Sequence, residues 1–137
     1  MTDYAVGMKD ILVTAGVGVF GTTLFVGKLP RKPDAAVSVM QSGGKAANPK
    51  WLLDRPSMQV MVRGNKNDYP GTYSKAVAVK NALLGFPSQV INSDRWVQVN
   101  MLGDIMNLGF DEEDRALFTL NWELIIEPAT GTYRTAL

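Results

Sequence analysis

Cysteine and histidine are both missing from the 137 residues. Without thiols there are no disulfides, thiolate zinc sites or cysteine nucleophiles, and without imidazole there is no histidine base. Metal binding would have to use oxygen ligands alone, and catalysis would rest on carboxylates, lysine, tyrosine or serine. An excess of one charge is lacking too: Lys and Arg number 14 against 13 Asp and Glu, a net charge of +1. No global field therefore recruits nucleic acid or an anionic membrane, so partner choice falls to local patches. Long apolar runs are also absent. The most apolar early stretch, residues 11–26, is broken by Gly16, Gly18 and Gly21 and by Thr14, Thr22 and Thr23. It falls short of the ~20 predominantly apolar residues of a membrane span and has no basic region before it. These absences point to a soluble chain with no membrane partner.

What remains is ordinary globular material. A hydrophobic fraction of 46% and a charged fraction of 20% argue against wholesale disorder. The length suits a single domain over residues 1–137, with one core. The strongest pattern lies near the C-terminal end. Asp111, Glu112, Glu113 and Asp114 form an acidic run closed by Arg115. After it, Ala116, Phe118, Leu120, Trp122, Leu124 and Ile126 alternate with Leu117, Thr119, Asn121, Glu123, Ile125 and Glu127. A period of two held this long predicts a half-buried strand.

The rest of the chain reads as further strands and two helices. Tyr4, Met8, Ile11, Leu12 and Ala15 make one helical stripe, capped by Thr2 or Asp3 and stopped by Gly16 and Gly18. Residues 20–28 and 35–41 predict strands, separated by a turn between Pro30 and Pro33. Residues 42–55 change character and read as a long connection, which in a compact domain is usually functional or disordered. A strand follows over 56–63, then a polar turn over 64–68. A helix capped by Asp68 comes next, with Tyr73, Ala76, Val77, Leu83 and Leu84 along one side. Strands over 89–91 and 95–101 flank an Asn92-Ser93-Asp94 turn, with Val97, Val99 and Met101 opposite Trp96, Gln98 and Asn100. The tail over 128–137 is polar and expected to be flexible. Without βαβ alternation, this order predicts an α+β fold: a mostly antiparallel sheet with both helices on one face.

No motif supplies a catalytic set. Calcium loops place oxygen ligands at alternate positions, whereas the contiguous carboxylates at 111–114 splay apart and read better as a solvated turn. Arg115 can fasten that turn through a carboxylate or bridge to another subunit. The glycines at 16, 18 and 21 match a dinucleotide fingerprint, but a helix precedes them and a strand follows, the reverse of what that site requires. Lys45, Lys50, Trp51 and Arg55 combine cations with an aromatic. Such a set suits a single-stranded nucleic-acid platform, though docking on a protein neighbour explains the tryptophan better. Nothing in the spacing of Asp104, Asp111 and Glu123 selects an acid/base pair. Methionines 40, 58, 61, 101 and 106 are expected to fill gaps in the core. The chain therefore reads as an assembly or binding module rather than an enzyme, with no cofactor.

Three pieces of the chain, taken in order, resemble the tail terminator proteins of long-tailed bacteriophages. The first is the strand 56–63 followed by Asp68-Tyr69, Tyr73 and Leu83-Leu84. The second is the strand from Trp96 to Leu102. The third is Leu108-Gly109-Phe110-Asp111-Glu112 with Arg115, leading to Phe118-Thr119-Leu120-Asn121-Trp122. The resemblance spans residues 4–126, and departs from the pattern in having Glu113-Asp114 where a small residue or glycine usually precedes the arginine. It implies a subunit of a homo-hexameric ring that caps the tail tube, stops its polymerisation and offers the head-attachment surface. The implied partners are copies of itself, the tail tube protein and the head-tail connector, with DNA only as a passing, non-specific contact. The implied location is the virion at the head-tail junction, after assembly in the host cytoplasm. Another connector or a tail tube subunit is the alternative, and a carboxylate enzyme or nucleic-acid-binding module stands further off. Expected interface residues are Asp111, Glu112, Arg115, Lys45, Lys50, Trp51 and Arg55, with segments 42–55 and 128–137 ordering on docking.

Overall fold

A computed structural model of the chain describes residues 3–50 and 52–128. The elements run α1 (Tyr4–Thr14), β1 (Leu24–Val26), β2 (Ala36–Gly44), β3 (Pro56–Lys66), α2 (Tyr69–Leu83), β4 (Gln89–Ile91), β5 (Asp94–Met101), β6 (Met106–Phe110) and β7 (Arg115–Glu127). The seven strands form one sheet in the order β1-β2-β3-β7-β5-β4, with β6 also paired to β7. Only β1 and β2 run parallel. Both helices pack on one face, so the fold is α+β as expected.

β7 organises this sheet. Along one edge it pairs with β3; along the other it pairs first with β6 and then with β5. Ala116, Phe118, Leu120, Trp122, Leu124 and Ile126 all turn inward and are at most 1% exposed. They meet Met58, Val60 and Val62 of β3, Met8 and Leu12 of α1, and Ala76, Val79 and Leu83 of α2 in one apolar cluster. The alternation read from sequence is the core itself.

The helices begin where their caps place them. The Asp3 carboxylate accepts a hydrogen bond from the Ala5 amide at 2.7 Å, and Asp68 accepts from Gly71 at 3.0 Å. Each satisfies an amide that the first helical turn leaves unpaired. Gly7, which weakens α1 as a helix former, is needed for close approach: a Cβ there would lie 2.7 Å from Cζ2 of the buried Trp96 ring.

Several expected boundaries and faces shift. The first strand is confined to Leu24–Val26, because residues 21–23 form a turn in which the Val19 carbonyl accepts from the amides of Thr22, Thr23 and Leu24. β2 continues to Gly44, so the connection expected from 42 starts later, after an irregularity between Gln41 and Gly44. β3 also runs on, to Lys66. In β5 the register slips between Trp96 and Gln98. The extra residue, Val97, resets the alternation, so Trp96 and Val99 both point into the core. The buried stripe of α2 is Thr72, Ala76, Val79 and Leu83, one step round from the expected face. Tyr73 and Leu84 stand outside it, about half exposed. β6 was not expected: Asn107, a bulge at Leu108 and Gly109 at φ +84° disguise it.

Candidate interface at the two ends of the last strand

The acidic run before β7 folds as a tight turn fastened by its own side chains. Asp111 Oδ1 accepts from the amides of Glu113 at 2.9 Å and Arg115 at 3.0 Å. Asp114 takes the left-handed conformation at φ +61°, which an aspartate tolerates better than most side chains. Beneath the turn lies the Arg115 guanidinium, almost wholly buried. Its Nε meets Asp111 Oδ2 at 2.8 Å, its Nη2 meets Glu113 Oε2 at 2.9 Å, and its Nη1 reaches Asp34 Oδ1 at 3.2 Å and donates to the Arg31 carbonyl at 2.6 Å. Arg115 is thus committed within its own chain, joining the turn to the β1–β2 connection. Glu112 and Asp114 point outward and are exposed.

A second buried arginine, unremarked in the sequence, stands beside it. Arg63 of β3 donates through Nε to the Asp34 carbonyl at 2.8 Å and through Nη2 to the Pro33 carbonyl at 2.7 Å and to that of Pro30. The two arginines pin residues 30–34 across one end of the sheet. Burial and the neighbouring Arg115 charge hold Arg63 below its ordinary pKa, against the pull of Asp111, Asp34 and Glu113. For Arg115 burial also opposes the charge, but the hydrogen bond and charge of Asp111, with Glu113 and Asp34, raise its pKa. Burial pushes the Asp111 carboxyl up; bonds from the Arg115 and Glu113 amides and from the Arg115 guanidinium outweigh it and hold the group below the usual range. A buried arginine is rare unless paired, and its position in the apolar strand Met58–Arg63 was the signal available. Its carbonyl partners lie about thirty residues away and could not be read locally.

The other charged cluster lies at the far end of β7. Glu123 takes Lys45 at 3.6 Å and Arg55 at 4.0 Å. The Lys45 amide donates to the Arg55 carbonyl at 3.0 Å, and Asp54 bridges to Ile126 through amides at 2.7 and 2.9 Å. These bonds make the base of a loop whose tip is exposed, including Lys50, Leu52 and Leu53. Trp51 lies outside the described residues. At the ~3.4 Å rise of an antiparallel strand, Arg115 and Glu123 stand about 27 Å apart. The expected interface residues therefore form two separate groups, not one.

The three carboxylates weighed for acid/base work each stand in an ion pair. Asp104 is paired with Lys80 at 3.0 Å, Asp111 with Arg115, and Glu123 with Lys45 and Arg55. A hollow of about 300 Å³ beside the turn is lined by Arg31, Asp111, Glu112, Glu113 and Arg115. A third surface was not foreseen. Along β6, Met106, Leu108 and Phe110 are each about half exposed, and the outer edge of that strand has no strand partner among the described residues.

The profile of the bacteriophage tail terminator protein family matches residues 11–128, most of the chain and every strand among the described residues. The chain belongs to the bacteriophage tail terminator family. As a member it is a structural protein of phage tail completion. No curated protein matches the chain. Nine chains of solved structures do. One of them, from the virion of a native gene transfer agent particle, superposes with a TM-score of 0.65 at 18% identity, covering 90% of this chain and 93% of that one. At that identity the similarity speaks for the fold alone.

Proposed function

We propose that the chain caps the tail tube as a ring of identical copies, hexameric on the family pattern. The ring ends tube polymerisation and presents the surface that the head-tail connector engages. The observation that carries this reading is the family match over residues 11–128. It is supported by two charged groups placed at opposite ends of one strand, since a head-to-tail ring needs two different patches facing in different directions. In this reading Glu112 serves as a contact on the turn, while Asp111 and Arg115 give the turn its shape. Lys45, Lys50, Trp51 and Arg55 serve on the opposite side. The partners are copies of the chain, the tail tube protein and the connector; DNA only passes through. The site of action is the virion at the head-tail junction, after assembly in the host cytoplasm.

Gold-labelling of the chain on purified tails tests the assignment. A cap places one cluster of label at the head-proximal end of each tail. Label distributed along the tube would instead make the chain a tube subunit.

A further inference from the structure

We infer that the outer edge of β6 receives the 45–55 loop of a neighbouring copy, and that this is the contact that propagates round the ring. The inference rests on the ring reading above and names its surfaces.

The edge itself is the first reason. Natural sheets blunt their free edges with charges, prolines or very short strands, because unpaired amides and carbonyls are a template for another chain. β1, the edge on the opposite side, is three residues long and is followed by Gly27, Lys28 and Pro30. The stretch 105–110, Ile-Met-Asn-Leu-Gly-Phe, carries neither charge nor proline, and the bulge between Asn107 and Gly109 is the irregularity that interrupts it. Met106, Leu108 and Phe110 expose 52%, 45% and 53% of their surfaces beside it. Such an edge is stable in solution when something covers it.

Charge identifies the occupant. The β6 edge runs directly into the turn where Glu112 and Asp114 face outward. Its complement must be both apolar and basic. The loop between β2 and β3 fits: Leu52 and Leu53 are exposed apolar side chains, Lys50 is exposed, and Lys45, although it reaches Glu123 at 3.6 Å, keeps 66% of its side chain exposed. The net charge of the whole chain is only +1, so this separation of charge is local. The two surfaces cannot meet within one chain. Asp54 is bridged to Ile126, whereas Asn107 is registered against Phe118, a separation along β7 of about 27 Å at ~3.4 Å per residue. A contact joining two such distant patches is heterologous, and repeated round an axis it closes a ring.

The absence of cysteine makes the test clean. In particles assembled with the double variant Leu53→Cys/Leu108→Cys, the new thiols are the only ones this chain contributes. A disulfide requires Cα atoms roughly 4.4–6.8 Å apart, so it reports direct contact. A non-reducing gel should show the chain linked into multimers larger than two, and each single variant should give at most a dimer. Leu52→Cys/Met106→Cys is the second pair, used if the first does not assemble. If neither pair forms the ladder while end-on images of the particles still show a ring, this contact is wrong and the ring reading survives. Images without a ring would remove the ring reading as well. A bond from the Leu108→Cys single variant to a different virion protein would give the edge to that partner and overturn the proposal.

Discussion

Replacing Arg115 by methionine keeps most of the side-chain volume and removes the charge that gathers Asp34, Asp111 and Glu113. Hydrogen bonds to charged groups contribute about 1.5–3 kcal/mol each when shielded from water. Here the arginine side chain is 7% exposed, but its partners are 25%, 20% and 38% exposed. The carboxylates can therefore rehydrate, and the loss falls at the lower end of the roughly 3–5 kcal/mol of a fully buried broken pair. About 3 kcal/mol is the expected cost. With an unfolding entropy near 2.1 cal/mol/K per residue, 137 residues give about 0.29 kcal/mol/K, so the melting temperature should drop by about 10 °C. The pH dependence has a defined sign. The Asp111 pKa is depressed in the folded chain, so its stabilisation is complete above its ordinary value of 3.8 and is lost as pH falls through the folded value. Thermal melts of both proteins, followed by circular dichroism from pH 7 downward, should show the gap narrowing below about pH 4. A variant that melts within about 2 °C of the parent at pH 7, or a gap that does not narrow on acidification, would refute the fastening role.

Three further outcomes follow from single contacts. Gly7→Ala gains about 1 kcal/mol of helix propensity, but its Cβ would stand 2.7 Å from the Trp96 ring, so urea titration should show net destabilisation of about 1–2 kcal/mol. Thr119 is 2% exposed and its hydroxyl has no hydrogen-bond partner among the described residues. Thr119→Val should stabilise the fold by about 1 kcal/mol in the same titration, because a buried unpaired hydroxyl is costly and valine suits a strand. Glu123→Gln should change stability by less than about 1 kcal/mol, and by less still in high salt. Glu123 is only 14% exposed, but its partners Lys45 and Arg55 are 66% and 37% exposed and stand 3.6 and 4.0 Å away, so the pairs are long, solvated on one side and screened. A larger, salt-independent loss would mean that Glu123 anchors the loop base.

What the sequence made visible was whatever depended on local periodicity and capping. The alternation from Ala116 to Ile126, the Asp3 and Asp68 caps and the helix stripe through Met8, Ile11 and Leu12 all have short-range signatures, and the structure repeats them. Departures came where one residue changed the phase. Val97 is an extra residue that moves Trp96 to the core side, and no feature of its neighbours marks it. β6 has too few residues, and a bulge within them, to build a period of two. The candidate interface was legible in part. The acidic turn and the basic loop stood out by composition, but the partner of Arg115 across the molecule, Asp34, lies eighty-one residues away. The exposed apolar edge at Met106, Leu108 and Phe110 became visible only once β6 had a place in the sheet.

The most direct measurement is the length distribution of tails assembled in the absence of this chain, read from negatively stained particles. A cap that ends polymerisation predicts tubes of variable and excessive length that fail to join heads, and restoration of uniform, head-bearing tails when the chain is supplied. Tails of uniform length, normally attached to heads without it, would contradict the capping role.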